Sequence, residues 1–333
     1  MNILITGTHG FVGSNLVSAL KERHTLYGLD IVSPEKEGVV KTYAWNELAS
    51  LPEVDTIIHL AGKAHDTKNK SEAQSYFDIN TGLTQKIFDH FLQSKAKQFI
   101  FFSSVKAAAD TVEGDCLTED VVPKPVGPYG ESKIAAEKYI RVHGKRYTVH
   151  EEGEADFPCT VNREPCTDKS GGEKRVYIFR PCMIHGPGNK GNLNLLYDFV
   201  SKGIPYPLGA FENKRSFLSI RNLTYIVEQF ILQNPESGTY HLADDEPIST
   251  NELIELIAKS KNRKARIWKI NRSLVTLMAK FGTICKLPFN SDRLQKLTEN
   301  YVVSNQKMKT AIGIERLPVG VKEGLLQTLK TFY

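Results

Sequence analysis

The feature that most constrains this chain is a glycine motif directly after its first apolar run. Residues 3–5, Ile-Leu-Ile, are typical of a short strand, and Gly7, Gly10 and Gly13 follow with the spacing G-x-x-G-x-x-G. Apolar residues at helical spacing then predict a helix at 13–23. Only a glycine turn lets the backbone approach a pyrophosphate so closely, and the helix N-terminus behind it offers free N–H groups. The motif therefore predicts a dinucleotide-binding site, and a purely structural turn is the disfavoured alternative.

Strand-like and helix-like segments alternate through the first half of the chain. The run at 98–103, Gln-Phe-Ile-Phe-Phe-Ser, is almost uniformly apolar, as in a parallel strand that is covered on both faces. The other predicted segments are strands at 25–30, 56–60 and 176–179 and helices at 84–94 and 132–142. This alternation predicts an α/β fold with a Rossmann-type doubly wound parallel sheet.

The regular alternation ends after Arg180, where prolines and glycines become frequent. We therefore expect a dinucleotide-binding Rossmann domain at 1–180 and a mainly substrate-binding domain at 181–333. The second domain is expected to be a smaller, irregular α/β domain, with a segment at about 216–243 returning to the first domain.

A polar stretch at about 144–174 does not fit the alternation. Crossover loops in such folds usually have roughly 2–6 residues, so we interpret this stretch as an insertion. Cys159 and Cys166, with His150 and Glu151 nearby, could suggest a metal site. Their spacing matches no known zinc knuckle, so we favour unpaired loop thiols and expect no metal.

Composition narrows the function classes. With 41% hydrophobic and 24% charged residues, the chain is neither disordered nor a coiled-coil rod. Its net charge of +5 is too small to require nucleic acid, although it suits an anionic ligand. No run of about 18 apolar residues and no secretory leader is evident, and the five cysteines are scattered. We expect a cytoplasmic protein with reduced thiols and no stable membrane insertion.

Lysines and arginines dominate residues 259–269, and an apolar stretch with lysines follows at 274–287. We favour core packing of this stretch beneath a solvated basic face. A helix lying on a membrane surface is the alternative.

Asp30 ends the second predicted strand, 17 residues after Gly13. A carboxylate at this place accepts hydrogen bonds from ribose hydroxyls and repels a 2′-phosphate. The residue therefore favours NAD over NADP, with an ordinary loop aspartate as the alternative.

Tyr129 and Lys133 form Y-x-x-x-K in a predicted helix. Positions i and i+4 share a helix face, so a lysine ammonium near the phenol, with a cationic nicotinamide nearby, is expected to lower the tyrosine pKa. Such a phenol can exchange a proton with a sugar hydroxyl near neutral pH. The motif is common by chance, but Ser103 and Ser104, at the end of the buried strand, could bind the same substrate oxygen.

Several motifs together resemble the extended short-chain dehydrogenase/reductases that act on nucleotide sugars, a family similar to UDP-glucose 4-epimerases and other NAD-dependent epimerases and dehydratases. They are T-G-x-x-G-F-V-G at 6–13, D-x-I-I-H-L-A-G at 55–62, Asn80, F-F-S-S at 101–104, Y-x-x-x-K at 129–133, R-P-x-x-I-H-G-P-G at 180–188, G-N-L at 191–193 and R-S-F-L-S-I-x-N-L at 215–223.

The resemblance implies a role for each matching residue. Tyr129 would be the acid/base, Ser104 its partner at the sugar 4-oxygen, and Lys133 the residue that binds the nicotinamide ribose and tunes the tyrosine. The expected cofactor-binding residues are Gly7, Gly10, Phe11, Val12, Gly13, Asp30, Leu60, Ala61, Gly62, Asn80, Ser103, Tyr129, Lys133, Pro181 and Cys182. The expected substrate-binding residues are Ser104, Lys106, Met183, Asn192 and Arg215.

Three further residues have two interpretations each. Cys182 could take part in redox chemistry, but a small packing residue is favoured. His65 and His185 could move protons, but hydrogen-bonded structural histidines are favoured.

The sequence departs from the dehydratases of this family. Val105 and Lys106 stand where those enzymes have an Asp-Glu pair, so no acid is present to protonate a leaving hydroxyl. The resemblance therefore implies a 4-epimerase/dehydrogenase that transfers hydride at C4 of a UDP-hexose for bacterial surface polysaccharide. A 4-ketoreductase of a UDP-4-keto-6-deoxy-(N-acetyl)hexose is the alternative, and a non-catalytic dinucleotide sensor is disfavoured. The resemblance also implies a homodimer through the helices at 84–94 and 132–142.

Overall fold

A computed structural model gives the structure of the chain. It describes residues 1–31, 35–63, 72–144, 173–189, 191–285 and 290–332. The expectations for His65 and for most of the insertion, with Cys159 and Cys166, lie outside these residues.

The chain forms two compact units. The first contains residues 1–109, 122–180 and 227–240, and the second contains residues 110–121, 181–226 and 241–333.

A seven-stranded sheet is the centre of the first unit. Its strands are β1 (Asn2–Thr6), β2 (Thr25–Asp30), β3 (Thr42–Ala44), β4 (Thr56–His59), β5 (Gln98–Phe102), β6 (Arg175–Pro181) and β9 (Gly238–Leu242). They lie in the order β3-β2-β1-β4-β5-β6-β9, and the pairs from β3 to β6 are parallel. The order reverses between β1 and β4, and open α/β sheets bind ligands at the strand carboxyl ends beside such a point. The predicted doubly wound parallel sheet is confirmed.

Helices cover this sheet. They are α1 (Phe11–Leu20), α2 (Ala73–Tyr76), a π-helical segment (Phe77–Gly82), α3 (Leu83–Gln93), α4 (Val105–Ala108) and α5 (Gly127–Gly144), with a 3-10 helix at Trp45–Ser50. Phe99 and Phe101 of β5 pack with Phe88 and Phe91 of α3 and Ile140 of α5 in one fully or almost fully buried cluster. Burying aromatic rings on both elements fixes α3 and α5 against the sheet.

The second unit combines a small sheet with helices. Strands β7 (Met183–His185) and β8 (Phe217–Ser219) pair in parallel. The helices are α6 (Asn192–Ser201), α8 (Thr250–Ser260), α9 (Arg272–Ile284), α10 (Ser291–Thr298), α11 (Gln306–Ala311) and α12 (Val321–Leu329), and α7 (Ile220–Gln233) begins in this unit. Across the described ranges, no helix is both long and apolar enough to span a bilayer.

Only one side of α9 belongs to a core. Val275 and Ala279 pack with Tyr206, Leu208 and Leu294. The other apolar side chains of the helix face solvent: Leu274, Leu277, Met278, Phe281 and Ile284. The expectation that this apolar stretch packs as core is therefore correct for the inner side of α9 and wrong for its outer side. Among the described residues, the rest of the unit packs against the inner side of α9.

Candidate active site

The glycine motif makes a turn in which a larger residue has no room. Gly7 has φ of +72°, in the left-handed region, and the Cβ of any side chain at position 13 would lie 2.1 Å from the Gly7 carbonyl oxygen. Gly10 caps α1 in an extended conformation, so the first-turn amides of Phe11 and Val12 have no intrahelical acceptor. Bare backbone and free N–H groups thus face the carboxyl end of β1, which fits a pyrophosphate.

Asp30 stands at the carboxyl end of the neighbouring strand β2. Its carboxylate accepts hydrogen bonds from the backbone N–H groups of His9 at 3.1 Å and Ile31 at 2.8 Å. These bonds hold an anionic acceptor beside the glycine turn, as the ribose of a dinucleotide requires.

A buried chain of hydrogen bonds connects the glycine motif to the π-helical segment. The Thr6 hydroxyl accepts from the N–H groups of Leu60 and Ala61, at 3.1 and 2.9 Å, and donates to Nδ1 of His59 at 2.7 Å. Nε2 of His59 donates to the Thr84 hydroxyl at 3.0 Å, because that hydroxyl donates its own hydrogen to the Asn80 carbonyl at 2.6 Å. The network therefore assigns the neutral tautomer with hydrogen on Nε2.

Burial and the nearby Lys133 ammonium lower the pKa of His59 to about 3. The histidine is consequently a fixed neutral link and not a proton carrier at physiological pH.

Asn80 fixes the loop after β4 to helix α5. Its side-chain oxygen accepts from the Lys63 N–H at 2.7 Å, and its side-chain nitrogen donates to the Ser132 hydroxyl at 3.0 Å. A Cβ at Gly62 would lie 2.9 Å from the Asn80 Oδ1 and 3.2 Å from the Lys133 Nζ. Glycine at position 62 therefore lets the loop at Leu60–Gly62 lie close to both side chains without displacing them. Segments of π-helix often mark functional sites, and this one presents Asn80.

Ser104 and Tyr129 come together through a close approach of α4 and α5. Ser104 caps α4, where its hydroxyl accepts from the Lys106 N–H at 3.2 Å. Tyr129 lies in the first turn of α5, and a Cβ at the next residue, Gly130, would lie 2.5 Å from the Lys106 carbonyl oxygen. The two hydroxyls share a side-chain hydrogen bond. A phenol that is bonded to a second hydroxyl can pass a proton to a substrate oxygen at the same place.

Lys133, one helical turn after Tyr129, is buried. Its Nζ donates to the Phe102 carbonyl at the end of β5, at 2.8 Å. Burial lowers the pKa of Lys133 to about 8, and the nearby Glu137 carboxylate opposes this shift.

The pKa of Tyr129 differs from the expectation. Burial raises it above the ordinary value, the Ser104 hydrogen bond lowers it, and Tyr76 raises it further. In the chain alone, desolvation of the phenolate dominates and Lys133 does not lower the Tyr129 pKa. The expected lowering by Lys133 together with a cationic nicotinamide stays a prediction. A bound cation beside the ring is the remaining way to favour the phenolate.

A buried ion pair behind the site was missed by the sequence reasoning. Arg180 donates to Glu137 through Nε at 2.9 Å and through a terminal nitrogen at 2.6 Å, and the Ser103 hydroxyl donates to the same carboxylate at 2.5 Å. Ser103 is thus engaged with the protein. Arg180 was visible as part of the R-P motif, whereas nothing marked Glu137 as its partner.

The remaining expected site residues belong to the second unit. Pro181 ends β6, Cys182 lies between β6 and β7, and Met183 begins β7. Burial raises the pKa of the Cys182 thiol well above its usual value, so the thiol stays protonated and a packing role is favoured.

His185 is fully buried in the same unit. Its Nδ1 bonds to the Thr328 hydroxyl at 2.8 Å. This contact favours the structural interpretation of His185.

Arg215 and Asn192 are the polar candidates of the second unit. Asn192 is the exposed first residue of α6. Burial lowers the pKa of Arg215, and its Nε is a buried atom with no hydrogen-bond partner among the described residues. An unsatisfied guanidinium nitrogen is well suited to an anionic oxygen.

Curated relatives are similar over most of the chain. A UDP-glucose 4-epimerase from Vibrio cholerae is 29% identical, and the match covers 99% of this chain and 95% of the relative. A UDP-2-acetamido-2,6-β-L-arabino-hexul-4-ose reductase from Pseudomonas aeruginosa is 32% identical over 58% of this chain and 38% of the relative.

Solved structures have the same fold. UDP-N-acetylglucosamine 4-epimerase from Bacillus cereus matches with a TM-score of 0.72 at 17% identity, covering 99% of this chain and 98% of that protein.

The sequence profile of the Epimerase family, described as the NAD dependent epimerase/dehydratase family, matches residues 3–241. That range contains the glycine turn, Asp30, Asn80 and the Ser104–Tyr129–Lys133 cluster. The chain belongs to the NAD dependent epimerase/dehydratase family.

Proposed function

We propose that the chain is an NAD-dependent 4-epimerase/dehydrogenase that acts at C4 of a UDP-hexose in the synthesis of bacterial surface polysaccharide. The observation that carries this proposal is the hydrogen bond between the hydroxyls of buried Ser104 and half-buried Tyr129, with Lys133 one turn further along α5. A protein that only sensed a dinucleotide would have no use for a serine hydroxyl that is hydrogen-bonded to the hydroxyl of the tyrosine.

Tyr129 is the acid/base in this proposal. The Tyr129 oxygen takes the proton of the sugar 4-hydroxyl and returns it, while the Ser104 hydroxyl holds the same sugar oxygen by a hydrogen bond. The chemistry that NAD supplies when bound is reversible hydride transfer at C4. Because burial raises the pKa of Tyr129, the free chain keeps the phenol protonated, and the acid/base is ready only once a cationic ring is nearby.

The residues around the glycine turn fit NAD. Gly7, Gly10, Phe11, Val12 and Gly13 would hold the pyrophosphate, and Asp30 would accept from the adenosine ribose. Around the nicotinamide half, the proposed residues are Leu60, Ala61, Gly62, Asn80, Ser103, Lys133, Pro181 and Cys182. Lys133 has two ammonium hydrogens beyond the one that Phe102 accepts, and these can reach a ribose hydroxyl.

Arg215 is the main residue that we propose to bind the substrate. Its unsatisfied Nε would bind the diphosphate, together with Asn192, while Met183 and Lys106 would contact the sugar or the base. The Vibrio cholerae relative is named for UDP-glucose and the Bacillus cereus structure for UDP-N-acetylglucosamine, which supports a UDP-linked hexose.

A 4-ketoreductase is the second candidate. The Pseudomonas aeruginosa relative is named as a reductase of a UDP-linked hexulose, and the same three side chains serve that reaction. In this case Tyr129 donates its proton to the carbonyl oxygen of a 4-keto sugar. The reductase then consumes one reduced cofactor in each turnover, whereas the epimerase needs no net supply of reduced cofactor.

The test compares two tyrosines of the same helix. Tyr129→Phe should lower turnover by about 100-fold or more, since general acid–base catalysis contributes roughly that much, while NAD still binds. Tyr139→Phe is the matched control, because it removes a hydroxyl that, among the described residues, donates to Asp89 at 2.7 Å, and it should leave turnover unchanged. Full activity of Tyr129→Phe would remove the proposed acid/base.

The purified wild-type protein decides between the two reactions. Incubation with UDP-glucose or UDP-N-acetylglucosamine without added reductant should give the 4-epimer. Oxidation of NADH only with a UDP-4-keto-6-deoxy sugar would identify the reductase.

We also propose a cytoplasmic homodimer that pairs through α3 and α5. Val142 on α5 is apolar and exposed, which is consistent with such a contact. Sedimentation velocity on wild type and on Val142→Glu tests it, because a buried carboxylate should shift the dimer to monomers.

A further inference from the structure

Helix α9 carries an apolar side that nothing in the described chain covers. Leu274, Leu277, Met278, Phe281 and Ile284 are between 51% and 80% exposed. At about 100° per residue these five positions share an arc of about 120°, which we name the outer face of α9. Single exposed apolar residues are ordinary, whereas five on one continuous face mark an interaction surface.

The outer face is held in place from behind. Val275 and Ala279 pack against Tyr206, Leu208 and Leu294, and the Asn271 side chain caps the helix through the Ser273 N–H at 2.8 Å. The helix therefore needs no partner to form, and its outer face is presented in one fixed orientation. Trp268, in the segment just before α9, is a further large apolar side chain at 58% exposure.

The chain segment that contains this face carries charge of one sign. Between residues 259 and 285 the chain has no Asp or Glu, and its basic residues are Lys259, Lys261, Arg263, Lys264, Arg266, Lys269, Arg272 and Lys280. All of them are exposed. Four of them, at 261, 263, 264 and 266, line a groove of about 450 Å³. The groove also contains Val200 and Ile254, which share a core cluster with the inner side of α9.

We propose that the outer face of α9 docks on an anionic phospholipid bilayer, with the basic run 259–272 on the lipid headgroups. An apolar helix face bordered by lysine and arginine, with a tryptophan at its edge, fits the interface between acyl chains and headgroups. Each basic residue near an anionic surface strengthens binding by roughly fivefold. A second copy of the chain is a poorer partner, since it would bring two uncompensated basic runs into one assembly.

The attachment lies in the plane of the membrane. A helix of 13 residues is about 20 Å long, shorter than the roughly 30 Å hydrocarbon core, so α9 cannot cross the bilayer. Binding by one such face is reversible, which agrees with the expectation of no stable insertion. The inference is independent of the sugar chemistry, because none of its residues belongs to the proposed active site.

The experiment is flotation of the full-length protein with two kinds of vesicle. One kind is phosphatidylcholine alone, and the other contains about three parts in ten phosphatidylglycerol. We expect flotation with the anionic vesicles, loss of flotation as salt is raised, and little with the neutral ones. Equal binding to both kinds, or to neither, would overturn the proposal.

Two matched pairs of variants locate the contact. The double variant Leu277→Ser/Phe281→Ser should weaken anionic-vesicle binding by at least about tenfold, since each side chain buries an apolar surface. Leu232→Ser, at a leucine that is 59% exposed on α7, should bind as wild type. Lys264→Glu should weaken binding, and Lys330→Glu should not. Wild-type affinity of the double variant, or equal loss in the controls, would contradict docking through α9.

Sedimentation velocity without vesicles tests whether a second copy of the chain covers the outer face of α9 instead. If Leu277→Ser/Phe281→Ser converts a dimer to monomers while vesicle binding is unchanged, the outer face joins two copies of the chain and the membrane proposal is wrong. Circular dichroism melting confirms that the variants remain folded. Activity on a water-soluble nucleotide sugar should be unchanged in all of them, so a failed membrane test leaves the proposed catalysis untouched.

Discussion

The Thr6 hydroxyl lies 2.7 Å from Nδ1 of His59, and this contact joins the end of β1 to the end of β4 inside the protein. Thr6 precedes the glycine turn, and His59 precedes the loop at Leu60–Gly62. One buried hydrogen bond therefore fixes two loops that carry proposed cofactor contacts. The hydrogen bonds continue from His59 through Thr84 to Asn80, so the π-helical segment is fixed in the same network.

The buried neutral state of His59 predicts a loss of stability in mild acid. Its pKa is about 3 in the folded chain, against an ordinary 6.5 when unfolded. Between these values the unfolded state binds more protons, so the free energy of unfolding falls as pH falls from 6.5 toward 3. Between pH 7.5 and 5 this single group should cost about 2 kcal/mol. Urea denaturation of wild type and His59→Gln measures it, and the variant should show a shallower pH slope by that amount.

His143→Gln is the control for this experiment, because His143 is an exposed residue at the end of α5. This variant should not reproduce the shallower slope of His59→Gln. A wild-type slope that His59→Gln leaves unchanged would mean that the imidazole is not buried neutral.

The carboxylate of Asp30 should make the protein bind NAD more tightly than NADP. It is held in place by the N–H groups of His9 and Ile31, and it would repel a 2′-phosphate. In Asp30→Ser the ratio of NADP to NAD affinity should rise by about tenfold or more, measured as two dissociation constants by calorimetry. Asp55→Ser, just before β4 at the amino edge of the sheet, should leave the ratio unchanged. An unaltered ratio in Asp30→Ser would show that the ribose is recognised elsewhere.

The buried pair of Glu137 and Arg180 should be strongly coupled. Glu137→Met leaves the buried Arg180 guanidinium without its carboxylate and should lower the free energy of unfolding by about 3–5 kcal/mol. Arg180→Met should cost less, because Glu137 keeps the Ser103 hydroxyl and the Arg141 guanidinium, at 3.6 Å. The double variant removes both charges, so its loss should be well below the sum of the two single losses. Denaturant unfolding of all four proteins gives this coupling. Simple additivity would contradict the geometry of two hydrogen bonds at 2.9 and 2.6 Å.

Much of the proposed cofactor-binding site was predictable from the sequence, because it depends on residues that are close together in the chain. The glycine spacing, the acid at the end of β2 and the tyrosine and lysine one turn apart all follow from neighbours in the sequence. Family membership confirms the expected enzyme class and NAD as the cofactor. The roles of the individual site residues stay predictions, tested by the variants above.

The sequence by itself determined the parallel sheet and the family, since periodicity and motif spacing depend on short stretches of chain. Tertiary structure decided what depends on burial: the neutral state of His59, the raised pKa of Tyr129, the partner of Arg180 and the direction in which α9 faces. Burial comes from residues distant in the chain, as when Val275 and Ala279 meet Tyr206 and Leu294 and leave the other side of α9 to solvent. No local pattern could show which of two apolar sides would be covered, because the covering residues come from other parts of the chain.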